Sequence, residues 1–228
     1  MRRRHFLALA GLAVTASACT TTEPEPTETP EQVLARAKER FDEASGVKLA
    51  LDLTLPQGVA GVSKADGVGI ISDTTPKFKG TVTATFRGTP ATIDVVAVGD
   101  DTWLSVFGAT TKVDMASLNA PNPASFFKPS GGVSSILTAT TDAAAGDKVR
   151  EGEIVLQTYT GKLPAQALRD LLALSVPDDE LDVTYGIEPT SGELRTATVT
   201  GQMFAGGTST LTVTLSDYGT TLDIQPPG

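Results

Sequence analysis

The feature that most restricts the fold of this chain is a two-residue alternation of apolar and polar side chains. It is clearest at 47–55, where valine or leucine occupies every second position until Pro56 ends the run. Successive side chains of a β-strand point to opposite faces of a sheet, so this segment predicts a strand with one apolar face. A chain built from such segments must bury that face of its sheet.

The same alternation recurs along the sequence and predicts strands at about 66–72, 79–87, 91–98, 102–107, 148–160, 181–188, 193–204, 208–216 and 220–225. Short glycine-rich spacers between them have the composition of hairpin turns. These spacers are Arg87-Gly88-Thr89-Pro90, Gly99-Asp100-Asp101, Thr190-Ser191-Gly192 and Ala205-Gly206-Gly207. Consecutive hairpins form an antiparallel meander, and no repeat of 20–50 residues indicates a solenoid or a propeller.

Helical patterns interrupt the strands in three places. Thr29-Pro30-Glu31-Gln32 has a capping residue, a proline at the first helical position and a capping-box glutamine, which predicts a helix at 30–45 before Gly46. Pro121–Thr138 is a helix-rich insertion, and a further helix is expected at 164–174. The sum predicts an α+β fold: a single, curved antiparallel sheet with helices on its concave side.

Composition excludes several kinds of chemistry. Of the 228 residues, the only histidine is His5 and the only cysteine is Cys19. Later residues therefore contain no catalytic triad, no imidazole or thiolate metal site and no disulfide. No catalytic residue, cofactor or metal is expected. The net charge of −9, which becomes −12 when Arg2, Arg3 and Arg4 are removed, argues against nucleic acid as a partner.

The N-terminus reads as an export signal, at residues 1–18. A basic start precedes an apolar run from Phe6 to Val14, which is too short to span a bilayer, and small residues follow it. Arg3-Arg4 also fits the twin-arginine pattern, and the sequence leaves Tat and Sec export open.

Ala16-Ser17-Ala18-Cys19 is similar to a bacterial lipobox, although Ala16 stands where leucine is more common. The alternative is an ordinary signal peptide with a stray thiol. Lipidation of Cys19 would place acyl chains in the membrane. Residues 19–29 are then the lipidated cysteine and a flexible tether of threonine, glutamate and proline, and 30–228 form a single domain.

The order of these elements resembles the actinobacterial lipoproteins of the LppX, LprA, LprF and LprG type. The likeness extends over nearly the whole mature chain and includes the segment 128–137 and the ending Ile224-Gln225-Pro226-Pro227. It implies a half-barrel whose sheet and helices enclose an apolar cavity for acyl chains. Members of this family carry acylated lipids or glycolipids from the plasma membrane towards the outer envelope.

The resemblance places Val82 on a strand that lines the pocket, and the two-residue period puts Ala84 and Phe86 on the same face. Weaker lining candidates follow from the same reasoning: Leu51, Leu53, Val68, Ile70, Ile93, Val95, Leu104, Val106, Ile136 and Leu137. A register error of one residue would turn any of these strands over. From the residues alone, an apolar sheet face with amphipathic helices fits a filled core equally well.

Three other features have ordinary structural interpretations. Asp178-Asp179-Glu180 lacks the spacing of a calcium loop and is expected to be a solvated turn. Phe126-Phe127 is expected to anchor the insertion in the core, with a gate over the pocket as the alternative. Gly131-Gly132 lacks the partners of a phosphate loop and is expected to give flexibility beside the cavity mouth.

These observations together predict a lipid carrier that is not an enzyme, anchored at the extracytoplasmic face of the plasma membrane. Its expected partners are an acylated lipid or glycolipid, the membrane through the anchor, and an export transporter. The domain is expected to be monomeric. The alternative function is a membrane-anchored scaffold with a filled core and no lipid cargo.

The lipobox generates the first testable prediction. Cys19→Ala removes the thiol that accepts the diacylglyceryl group, so the protein should move from the membrane fraction to the soluble fraction. Cell fractionation followed by mass spectrometry of the N-terminal peptide measures this. Unchanged fractionation, with no diacylglyceryl mass on the peptide, would contradict the lipid anchor.

Overall fold

The computed structural model describes residues 28–86, 89–118, 120–172 and 178–228. The predicted signal peptide, Cys19 and the tether up to residue 27 lie outside these ranges. Within them, the β-strands join into one antiparallel sheet of eleven strands. The sheet is open and curved, as a half-barrel, and the predicted fold class is confirmed.

The strand bounds follow the chain in two meanders. The first contains β1 Gly46–Thr54, β2 Gly61–Ile70, β3 Lys77–Phe86, β4 Thr89–Val98, β5 Asp101–Val106 and β6 Ala109–Val113. The second contains β7 Thr141–Glu151, β8 Ile154–Pro164, β9 Glu180–Ile187, β10 Leu194–Phe204 and β11 Gly207–Ser216. Pairing of β1 with β11 joins the two meanders. The strand order across the sheet is therefore β6-β5-β4-β3-β2-β1-β11-β10-β9-β8-β7.

Three α-helices and two short 3-10 helices complete the described elements: α1 Pro30–Asp42, α2 Ser135–Ala139, α3 Ala165–Leu172, and the 3-10 helices Met115–Leu118 and Pro123–Phe127. The predicted capping box of α1 is present. The Gln32 backbone N–H donates to the Thr29 hydroxyl, and the Thr29 backbone N–H donates to the Gln32 side chain at 2.9 Å. Val33, Leu34, Ala37 and Phe41 form its buried face.

The structure corrects three sequence predictions of strands. The segment 148–160 is two strands, because Gly152 adopts φ +59° in the turn between β7 and β8. A sixth strand, β6, extends the first meander, although its residues show no apolar alternation. The segment 220–225 pairs with no described strand. It is instead held by the Lys77 Nζ, which donates to the Ile224 carbonyl at 2.9 Å, and by burial of the Ile224 side chain.

The helical insertion is fastened to the sheet by one asparagine. The Asn122 side chain accepts from the Ala124 N–H at 2.9 Å and so caps the 3-10 helix Pro123–Phe127. Its amide donates to the Gly99 carbonyl at 2.8 Å, in the turn between β4 and β5. The buried Thr102 hydroxyl donates to the same Asn122 oxygen at 3.3 Å. Turn, strand and insertion thereby share one polar node.

Phe127 anchors this insertion in the core, as expected. Its side chain is fully buried and stacks on Phe78 of β3, with ring centroids 5.9 Å apart. Trp103 lies at an alternate position on β5 that faces away from the helices, so it does not meet the phenylalanine pair. The alternative of a gate over the pocket, formed by Phe126-Phe127 next to other aromatic residues such as Trp103, is not supported by this arrangement.

The two faces of the sheet differ in composition. The face that carries the helices, here called the helix face, holds most of the buried apolar residues of the strands. The opposite, outer face is rich in threonine, with Thr196, Thr198 and Thr200 of β10 paired to Thr214, Thr212 and Thr210 of β11. Threonine suits a solvated sheet face because its branched side chain favours the extended backbone and its hydroxyl remains hydrated.

The helix face of β2 generates a stability prediction. A Cβ at Gly69 would overlap the buried Phe127 ring, so Gly69→Ala should destabilise the fold by about 1–3 kcal/mol through overpacking. Gly61→Ala on the same strand is the control, since its Cβ would meet only Leu55 atoms at 3.6 Å or more. Urea unfolding of both variants measures the difference. Equal stabilities would show that Phe127 does not depend on this close approach.

Candidate functional site

The strand registers assign each predicted lining residue to a face. Directly opposed residues of an antiparallel pair share a face. The pairs Leu51 with Ala65, Ala65 with Val82, and Val82 with Ile93 therefore form one continuous row on the helix face. The same reasoning adds Leu53, Ala84, Val95, Leu104 and Val106. Phe86 pairs with Thr89 in the ladder, and its side chain lies outside the description.

Val68 and Ile70 lie on the outer face, so the prediction that they line the same surface as Leu51 is wrong. Val68 pairs with Lys48 and Ile70 with Gly46, which are the alternate positions of β1. The helix-face positions of β2 are Gly67 and Gly69 instead. Glycine is required there because a Cβ at Gly67 would lie 2.7 Å from the Phe78 ring and one at Gly69 would strike Phe127.

One part of the helix face is filled. Val47, Leu49, Phe78 and Ala97, at one end of the first meander, are buried beneath α1, α2 and the 3-10 helix Pro123–Phe127. Three of the predicted lining residues belong to this filled part: Val95 is 3% exposed, Ile136 8% and Leu137 0%. They pack in the core of the described structure.

The other part of the helix face is only partly covered. The strip runs across β1, β3, β4 and β5 towards the opposite end of the strands. We call it the open apolar strip; its members are Leu51, Leu53, Val82, Ala84, Ile93, Leu104 and Val106. All are partly exposed or exposed, and Val106 is 42% exposed. Their row is apolar throughout, since hydroxyls and charges occupy the alternate, outer positions.

Helix placement explains why the strip is open on this side. On the second meander the corresponding positions, Leu163, Leu181, Val199 and Leu211, are buried next to α3, whose Leu168 is 1% exposed. α3 follows directly from β8, so it covers the second meander. Among the described residues, no helix follows β1, β3 or β5 at the same end.

Two tyrosines close the filled part of the core: Tyr185 is fully buried and Tyr218 is partly buried. The Tyr185 hydroxyl lies 2.7 Å from the Thr140 hydroxyl and donates to the Ile136 carbonyl at 3.3 Å. Burial raises the pKa of Tyr185 to about 12. Tyr218 donates to the Leu194 carbonyl at 2.7 Å, and burial together with the nearby Glu193 carboxylate raises its pKa as well. Both phenols therefore stay neutral and serve as hydrogen-bonding core residues.

The acidic turn is solvated, as expected, with Asp179 and Glu180 exposed, and it also makes specific hydrogen bonds; the paired glycines have a role that differs from the one expected. The Asp178 carboxylate accepts from the Gln202 backbone N–H at 2.7 Å, and the Asp179 carbonyl accepts from the Ala165 N–H at 2.8 Å. This turn therefore joins β9, β10 and α3. Gly132 is buried in a tight turn where a Cβ would overlap the Lys128 carbonyl, so it permits a close approach and does not supply flexibility.

Two surface grooves lie elsewhere on the molecule. One, of about 510 Å³, follows α1 and is lined by Glu28, Gln32, Ala35, Arg36 and Glu39. The other, of about 350 Å³, lies beside the β7–β8 hairpin and includes Lys148, Glu153 and Glu188. Ile154, Val155 and Pro189 also line the second groove, so charged and apolar side chains are mixed there, and neither groove includes a residue of the apolar strip.

The chemistry that the strip can perform follows from its composition. Valine, leucine, isoleucine and alanine offer neither a nucleophile nor a titrating group, and the described residues form no cluster of three or more metal-ligating side chains. Burying apolar surface is favourable by about 25 cal/mol per Å². The strip is therefore suited to holding an apolar ligand or segment by burial.

Comparison with known proteins agrees with this geometry. Two solved mycobacterial lipoproteins share the fold: LprF from Mycobacterium bovis, with a TM-score of 0.71, 12% identity and coverage of 87% of this chain and 96% of that one; and LppX from Mycobacterium tuberculosis, with a TM-score of 0.63, 16% identity and coverage of 86% and 98%. No curated protein matched the sequence.

An open antiparallel half-barrel with helices on one face is thus the architecture of a class of envelope lipoproteins. The model of the LppX_LprAFG lipoprotein family matches residues 29–224, and the chain belongs to that family. The resemblance seen in the sequence is confirmed. Throughout the described residues, no helix is both long enough and apolar enough to cross a bilayer.

The buried tyrosine generates a pH prediction. The pKa of Tyr185 is about 12 in the folded state and about 10 when unfolded, so the folded state holds the proton more tightly. Its contribution to stability is complete below pH 10 and is lost as the pH rises through 12, at about 1.4 kcal/mol per pKa unit. Tyr185→Phe should flatten this alkaline decline in urea unfolding measured from pH 9 to 12.

Tyr218→Phe is the matched comparison, since it removes the other core phenol and leaves Tyr185 in place. It should preserve the part of the alkaline decline that Tyr185 causes. Identical pH slopes for the wild type and Tyr185→Phe would show that this phenol is not buried in solution.

Proposed function

We propose that this lipoprotein binds acylated lipids or glycolipids on the open apolar strip and carries them from the plasma membrane towards the outer envelope. The single observation that carries the proposal is the uneven covering of the helix face. Leu51, Val82, Ile93 and Leu104 stay partly exposed, although they share a face with fully buried residues. An acyl chain laid along this row would bury them.

The form of the strip supports a chain-like ligand. It crosses from β1 to β5 as one row that continues through Ala65 of β2, and neighbouring strands lie about 4.8 Å apart. An elongated hydrocarbon can therefore contact several strands at once. The free energy comes from area removed from water, so such a surface discriminates poorly between acyl chains and holds many of them.

The remaining parts of the proposal concern the cell. Cys19 is the lipidated N-terminus of the mature protein, from which residues 1–18 are removed, and residues 19–29 tether the domain 30–228 to the extracytoplasmic face of the plasma membrane. The domain acts as a monomer, receives its lipid from an export transporter or from the bilayer, and catalyses no reaction. Membership of a lipoprotein family and the lipobox-like sequence support the anchor.

Val82→Trp tests the strip directly. An indole at the centre of the row would occupy space that an acyl chain needs, so lipid bound to the purified protein should fall severalfold while the fold survives. Native mass spectrometry of protein purified from its own membrane measures the bound lipid, and thermal melting of the same sample measures the fold.

Val96→Trp is the control, since Val96 lies on the outer face of the neighbouring strand and adds the same side chain away from the strip. It should leave lipid binding unchanged. A Val82→Trp protein destabilised by the roughly 1–3 kcal/mol of overpacking, from a wild type that holds no lipid, would favour the scaffold function.

A further inference from the structure

Phe107 is placed where a soluble protein has little reason to keep an aromatic side chain. It forms the turn between β5 and β6 with Gly108, and its side chain is fully exposed, at 105% of the reference area. Its φ of +50° lies in the left-handed region, where asparagine or glycine is preferred, and Gly108 follows at +81°. The turn would be less strained and better hydrated with a polar residue at this position.

The surroundings of Phe107 are uncharged over a wide part of the sheet. Four segments, 53–63, 80–93, 102–111 and 196–216, contain one charged residue between them, Arg87, although charged residues make up 20% of the chain. The connections β1–β2, β5–β6 and β10–β11 within them meet at one end of the strands. We call the described part of this end, with connections 55–60, 107–108 and 205–206, the uncharged rim; the β3–β4 connection 87–88, which contains Arg87, lies outside the described residues.

The opposite end of the strands is charged. The connections β2–β3, β4–β5, β7–β8 and β9–β10 contain Asp73, Asp100, Glu153 and the pair Glu188 and Glu193. At the same end as the rim, carboxylates occur on the β7–β9 side, in Asp142 and the turn 178–180. In this acidic protein the turns and strand ends on the rim side, from β6 across to β11, thus contain no carboxylate.

We infer that the uncharged rim docks on the surface of a lipid bilayer, with the Phe107 ring inserted at the interface. Aromatic side chains favour this interface, and lipid replaces the water that now surrounds the ring. A rim without carboxylates meets no repulsion from anionic headgroups, whereas the chain as a whole, at −9, does. Charge therefore orients the domain with the rim towards the membrane.

The position of the rim gives this docking a purpose. Val106, the last member of the open apolar strip, directly precedes Phe107, and Val62, 38% exposed, lies at the same end of β2. A docked rim would place the end of the strip against the lipid, so an acyl chain could pass between them without crossing water. This purpose rests on the proposed function, while the docking itself requires only the rim.

Vesicle binding tests the docking. The exported full chain carrying Cys19→Ala, which has no lipid anchor, is mixed with phosphatidylcholine vesicles and separated by flotation. Phe107→Asn should lower the bound fraction about tenfold or more, because the ring supplies most of the inserted area. Asparagine suits the positive φ, so thermal stability should not fall. Val149→Asn, at the charged end and 49% exposed, should bind as the parent does.

The outcomes separate docking from cargo and from other occupants. Equal binding of the parent and Phe107→Asn, or no binding by either, overturns the inference. A parent that is dimeric by light scattering and becomes monomeric in Phe107→Asn, with no vesicle binding, assigns the rim to a second copy and also overturns it. Native mass spectrometry of the membrane-purified protein measures bound lipid independently of flotation. Docking can therefore fail while the carrier function stands, and the carrier function can fail while docking stands.

Discussion

The fold is governed by a mismatch between an eleven-stranded sheet and the helices available to cover it. The sheet has one apolar face, and the described helices comprise 13, 5 and 8 residues, with two short 3-10 helices. An apolar face left in water costs free energy in proportion to its area. The placement of these helices therefore decides where the sheet is a closed core and where it remains open.

The Phe78–Phe127 stack fixes that placement on the first meander. It holds the insertion over β2, β3 and β4, and the glycines of β2 provide the space for its rings. α1 then packs on α2, and the Ser134 hydroxyl donates to the Asp42 carboxylate at 2.6 Å, so the helices support one another. The helices therefore cover the helix face of the first meander at one end of its strands, and the open apolar strip is the part of that face that they leave uncovered.

The sequence predicts those elements whose apolar side chains recur with the period of the element and whose apolar face is buried in the structure. β1 and β11 alternate cleanly because one face is buried, and α1 carries its capping box. The strands that were missed or merged, β6 and β7, are the two edges of the sheet. Edge strands bury little, and β7 is bulged and mostly exposed, so their residues carry no apolar period.

The candidate site was predictable only where the pattern of side chains shows which face of the sheet a strand residue occupies. Val82, Ala84 and Ile93 follow the period and share a face. On β2 the period misleads, because glycines occupy the helix face while Val68 and Ile70 supply the apolar residues of the outer face. No local signal distinguishes a glycine that admits a phenylalanine from a glycine in a loop. That distinction requires knowing which ring packs on the glycine, and Phe127 lies 58 residues after Gly69 in the chain.

The open apolar strip lies towards one end of the strands, and most of the charged turn residues lie at the other end. At that other end, Arg195 pairs with Glu188 and Glu193 at 2.7 Å and Arg40 of α1 pairs with Glu193 at 3.1 Å. The uncovered strip ends instead among uncharged turns. A carboxylate beside the strip would hold water there and raise the cost of burying any apolar ligand. Segregation of charge therefore allows an uncovered sheet face to remain a surface for apolar ligands.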